Sequence, residues 1–243
     1  MLSQQPTAAA YLVIKEKLKQ LHLSTTEITK VLAGLSADRA TSYLCQCVAE
    51  EEATRKGREK ATLIFLGIGL TLWTALNASW GTIVTLGWPL FLVGPLLISL
   101  SIWLSQRRYS PLRDNALIGL TQVILDVRER ETLVPLCTVA PLLNGTKHSW
   151  EVEIEEAIRS TIARLLTRLS PDEAALLPDP TREFLLAAIV DQRHTELTVS
   201  ALLTLGSARD EAPLSYAETL RTSRLENVRE AASEYLREVR GNV

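Results

Sequence analysis

From residue 61 to residue 105 the chain runs 45 residues without a Lys, Arg, Asp, Glu or His. A helix crossing a hydrocarbon core of about 30 Å takes about 20 mostly apolar residues, so this run has the length of two crossings and a tight turn. Asn77, Ala78, Ser79, Trp80, Gly81 and Thr82 form the only small and polar cluster inside it. That break sets the expected spans at 61–77 and 82–105. Basic residues flank the run: Arg55, Lys56, Arg58 and Lys60 before it, Arg107 and Arg108 after it, with no charge in the connecting turn. The positive-inside rule then places both long flanking segments, and so both termini, on the cytoplasmic side of an integral membrane protein. Trp80 and Trp103 stand near the ends of the second span, where amphipathic rings prefer the headgroup level.

The spans hold no ionisable residue, so they read as an anchor and not as an ion path. Gly67 and Thr71 form a small-xxx-small pair, and Gly87 and Gly94 lie seven apart, roughly on one face. Small residues let helices approach closely. These four are candidates for helix association, either between the two spans or with a partner or second copy of the chain.

The 60 residues before the run carry nine basic and seven acidic side chains. Tyr11, Ile14, Leu18 and Leu21 recur at helical spacing with Lys15, Lys17 and Lys19 between them. Such a stripe lies on an anionic membrane surface or packs on a neighbouring helix, and packing is the commoner outcome. The lysines also interrupt any early apolar run, so no cleavable signal is expected. A second helix is expected over 26–35, ending near Gly34. Ser36 and Asp38 mark a further helix start. No proline follows until Pro89, so that helix is expected to run about 40 residues into the apolar run, with Gly57 the likeliest bend.

Residues 106–243 carry 17 basic and 21 acidic residues and no strand-like alternation. They hold a repeated pattern: an aliphatic residue, small or apolar residues three and four later, and an aliphatic eight later. It starts at Leu112, Ile154, Leu197 and Val228, intervals that suit two-helix repeats. Candidate second helices lie at 133–143, 181–190 and 212–220, two of them with an early proline, Pro135 and Pro213.

This pattern resembles HEAT repeats, including the variety first noted in phycobilisome bilin lyases, over about residues 112–239. The resemblance implies stacked helix pairs with an extended binding face, and a scaffold or adaptor role. The expected fold is therefore all-α and membrane-anchored: a helical arm and stalk over 1–60, a two-helix transmembrane hairpin over 61–105, and a HEAT-like α-solenoid over 106–243. The expected function is a scaffold that presents its helical-repeat surface to a cytoplasmic protein partner. An accessory subunit of a larger integral membrane complex is the alternative, with a membrane-bound lyase-like factor behind it. The bilayer itself is a further expected partner, and a homo-oligomer is possible through the small-residue face.

The search for chemistry is mostly negative. His22, His148 and His194 are far apart in sequence and match no metal motif. Cys45 and Cys47 point about 200° apart on a helix, so they neither chelate together nor bond, and three cysteines do not make a disulfide scaffold. No phosphate-binding loop or nucleophile elbow occurs. A net charge of −2 from 26 basic and 28 acidic residues lacks the basic footprint of nucleic-acid binding. Neither catalysis nor a cofactor is expected. The densest acidic stretch, Glu151, Glu153, Glu155 and Glu156, would attract a basic partner or simply suit a helix start.

Overall fold

A capping box starts the second helix: Ser24 accepts the backbone N–H of Glu27, and Glu27 accepts that of Ser24. A second capping box, Ser170 with Glu173, recurs later in the fold, which we describe from a computed structural model over residues 8–20, 23–78, 96, 99, 110–143 and 149–241. Its longer segments hold eleven α-helices and three short 3-10 turns, the α-helices being α1 (Ala8–Leu18), α2 (Thr25–Leu32), α3 (Ala37–Ala78), α4 (Pro111–Val123), α5 (Leu133–Val139), α6 (Ser149–Leu166), α7 (Pro171–Ala175), α8 (Asp179–Asp191), α9 (Thr195–Ser207), α10 (Leu214–Leu220) and α11 (Glu226–Arg240). No strand occurs among the described residues.

The four repeated patterns fall on α4, α6, α9 and α11, and these pack in sequence, α4 on α6, α6 on α9 and α9 on α11. Their key positions are core. Leu112, Ala116 and Leu120 are buried on α4, Ile154, Ile158 and Ile162 on α6, Leu197, Ala201 and Leu205 on α9, and Val228, Ala232 and Leu236 on α11. A second row lies behind them, with α3 against α5 and α5 against α8, while α10 covers α11. The region 170–180 becomes the short α7, capped by Ser170 and Glu173 and seated on α9. Two glycines mark close approaches. A Cβ on Gly119 would stand 3.2 Å from Leu44, and one on Gly206 would stand 3.1 Å from the Tyr235 backbone.

The N-terminal arm belongs to the same core. Tyr11, Ile14 and Leu18 are buried, and α1 packs on α2 and α4. Lys15 pairs with Glu50 on α3 and lies 5.7 Å from the Tyr11 ring centre. Leu21 lies outside the described residues.

The membrane-anchored hairpin is overturned. No helix among the described residues is long and apolar enough to cross a membrane. The length of α3 misleads here, because it is 42 residues long but carries charge as far as Lys60. Its uncharged remainder, 61–78, extends about 27 Å at the helical rise, short of the roughly 20 residues that a crossing takes. It is also interrupted by Thr62, Gly67, Gly69 and Thr71. The expected second span, 82–105, lies outside the described residues apart from Leu96 and Ser99. The fold is all-α, and the integral placement with both termini cytoplasmic loses its structural basis. α3 stays helical through Gly57.

Candidate functional site

The acidic start of α6 is sorted by helical periodicity into two sets with different work. Glu151 is buried and pairs with Arg113 of α4 at 2.6 Å. Glu155 pairs with Arg159, one turn on, at 2.9 Å from the guanidinium Nε. Glu153 and Glu156 instead face a cleft and make no ion pair among the described residues. A run that reads as one acidic patch is thus half internal pairing and half surface.

Arg159 is the centre of the site. Its side chain is only 5% exposed, and its guanidinium carbon lies 5.8 Å from the Phe184 ring centre on α8. A buried charge needs a partner held in place, and Glu155 supplies it. His194, at the start of α9, approaches the same carboxylate at 3.9 Å. Burial, followed by the nearby Arg159 charge, holds the His194 imidazole below its usual value, against the pull of Glu155, Glu156 and Asp191.

Arg159 separates two clefts, and its side chain lines both. The first, about 530 Å³, lies between α5, α6 and α8, with Phe184 and Ala188 on its floor. The second, about 650 Å³, lies between α6 and the start of α9, with Glu153, Glu156 and Glu196 along it. The other cations of the second cleft are engaged. Arg164 donates to the carbonyls of Ile124, Leu125 and Val127, and Arg193 pairs with Asp191 at 2.9 Å. Both volumes fall within the range of about 300–1,000 Å³ typical of ligand sites.

Cys137 lines the first cleft, but burial pushes its thiol up to about 12, so it stays protonated and a poor nucleophile. No group of three or more His, Cys, Asp or Glu able to hold a metal occurs among the described residues.

Of the residues singled out in the sequence, Arg55, Lys56, Arg58, Lys60, Gly67 and Thr71 lie along α3. Arg55 pairs with Glu52 at 2.7 Å and with Glu59 at 3.8 Å, and Arg58 pairs with Glu51 at 2.7 Å. Lys56 and Lys60 are exposed. The two arginines belt the helix through intrahelical pairs. Gly67 is exposed, a Cβ there would meet nothing within 4 Å, and Thr71 donates its hydroxyl to the Gly67 carbonyl at 2.9 Å. Trp80, Gly87, Gly94, Trp103, Arg107 and Arg108 lie outside the described residues. Arg159 and Phe184 escaped the sequence reading, and His194 was set aside there as an isolated histidine, because their spacing of 25 and 10 residues matches no motif. The one available signal was an arginine four residues after Glu155, beside the aliphatic stripe of α6. No protein-family model, no curated protein and no solved structure matches the chain.

Proposed function

We propose that the protein is an interaction scaffold, a HEAT-like helical array whose repeat surface receives a protein partner. The observation that carries this reading is the consecutive packing of α4, α6, α9 and α11, with open clefts on both sides of Arg159. Stacked helical units bury a shared core and leave extended surfaces that serve for binding. Photo-crosslinking residues placed at Ser160 and Ala187, one in each cleft, test it against a control at exposed Ser233 on α11. A partner captured from the clefts and not from Ser233 is the expected result. Equal capture at all three positions, or none, would refute it.

A second reading is an accessory subunit of a larger complex that makes its main contact through α3. It is favoured by the exposed Leu63, Ile64, Phe65, Ile68 and Leu70, with Leu63 67% exposed. A cluster of exposed apolar side chains on one helix marks a contact surface. Leu63→Glu with Ile68→Glu separates the two readings. A scaffold keeps its partner in this variant and loses it with Glu156→Lys and Ala187→Trp, whereas an accessory subunit does the opposite.

A further inference from the structure

We infer that the groove between α5 and α8 receives a basic side chain, an arginine or lysine, presented by the protein partner. This inference rests on the scaffold reading and names what that partner must offer. One face of α8 forms a wall of the groove, because Pro180, Glu183, Ala187 and Asp191 are spaced three, four and four residues apart. The wall is therefore about 17 Å long at the helical rise. Thr138 and Pro141 stand opposite, and the floor between is Phe184 and Ala188, apolar and shallow. A long side chain laid here buries an apolar stem and leaves its head at the edge, the habit of arginine and lysine.

The charges decide which head fits. Glu183 is exposed and makes no ion pair among the described residues. Asp191 pairs with Arg193, itself 69% exposed, and such surface pairs exchange at little cost. Among the described residues the only cation lining the groove is Arg159, whose charge Glu155 already balances at 2.9 Å. Counted over the described residues, the groove is therefore net negative. An anionic occupant would face both carboxylates and meet an arginine already engaged. Glu183 and Asp191 sit eight residues apart on one helix, about 12 Å, too far to share a metal ion. What remains is a cation carried on an apolar stem.

The test uses the full chain and two fluorescein-labelled, end-blocked pentapeptides, Ala-Leu-Arg-Leu-Ala and Ala-Leu-Glu-Leu-Ala, read by fluorescence anisotropy. The arginine peptide is expected to bind at least about tenfold more tightly than the glutamate peptide. Glu183→Lys and the groove-filling Ala187→Trp are each expected to weaken it by a similar factor. Glu238→Lys, exposed on α11 outside both clefts, is expected to leave it unchanged, with thermal melts verifying that all variants fold. Equal binding of the two peptides, no binding of the arginine peptide, or indifference to Ala187→Trp would overturn the inference. Partner cross-links from Ser160 but none from Ala187 would also overturn it, while leaving the scaffold reading in place. Groove binding of the arginine peptide with no partner captured anywhere on the array would refute the scaffold reading while upholding the groove's selection of a basic side chain.

Discussion

The Asp38 carboxylate, in the first turn of α3, accepts the backbone N–H of Glu129 at 2.8 Å, and the same oxygen accepts that of Arg128 at 2.9 Å. Asp38 is only 8% exposed, so these donors have no ready replacement in water. A residue that looks like a helix-start acid therefore also fastens the chain between α4 and α5. Asp38→Ala should cost about 2–3 kcal/mol, the range for charge-assisted bonds and orphaned donors. Asp38→Asn keeps an acceptor and should cost less. Urea unfolding midpoints of the two variants check the order, and equal midpoints would contradict this role.

Asn115 fills the position that is small or apolar in the other three repeated patterns, and its neighbours explain why. Its side-chain amide donates to the carbonyls of Leu18 at 2.8 Å and Gln20 at 3.0 Å, closing the end of α1. Asn115→Ala should destabilise the chain by about 1–2 kcal/mol. The loss should be local first, so amide exchange in 8–18 should quicken more than exchange in α9. Uniform acceleration would argue against a specific tie.

Gly206 and Gly57 should respond to alanine with opposite signs. At Gly206 the new Cβ meets the Tyr235 backbone at 3.1 Å, and Tyr235 is held by donating its hydroxyl to the Asp210 carbonyl at 2.6 Å. Overpacking there should cost about 1–3 kcal/mol. Gly57 is helical with open space around it, so alanine should add about 0.5–1 kcal/mol. Thermal melts of the two variants give the comparison directly.

All three cysteines are buried and free. Burial first of all pushes the Cys47 thiol up to about 11 and the Cys137 thiol up to about 12, and Cys45 is raised further. Native protein at pH 8 should therefore react negligibly with a disulfide reagent within minutes, and three thiols should appear in denaturant. Fast labelling of a native thiol would show that the core opens at that helix.

His194 is held below its usual value of 6.5, chiefly by burial. A depressed folded value means that the folded chain resists protonation, so the contribution to stability is present above about pH 6.5 and is lost as pH falls through the folded value. His194→Gln should remove that dependence. The difference in melting temperature between pH 7.5 and pH 5.5 should be smaller in the variant than in the parent, and an unchanged difference would refute the assignment.

Helix positions were legible because burial on a helix repeats every 3.6 residues, and that period survives in one dimension. Leu112, Ile154, Leu197 and Val228 announced four helices, and Tyr11, Ile14 and Leu18 announced a face that now lies in the core. The apolar run misled for a physical reason: absence of charge measures preference for an apolar neighbour and not the length of helix that results. The clefts were not legible at all. Arg159 meets Phe184 across two helices, and Asp38 meets Glu129 from 91 residues away. Composition and periodicity determined that the chain is helical and which positions of its repeated helices turn inward. Only the packing of α6 against α8 and α9 decided which charges are internal and which face outward, because pairing depends on distance in space, and helical spacing supplies only direction around a single axis.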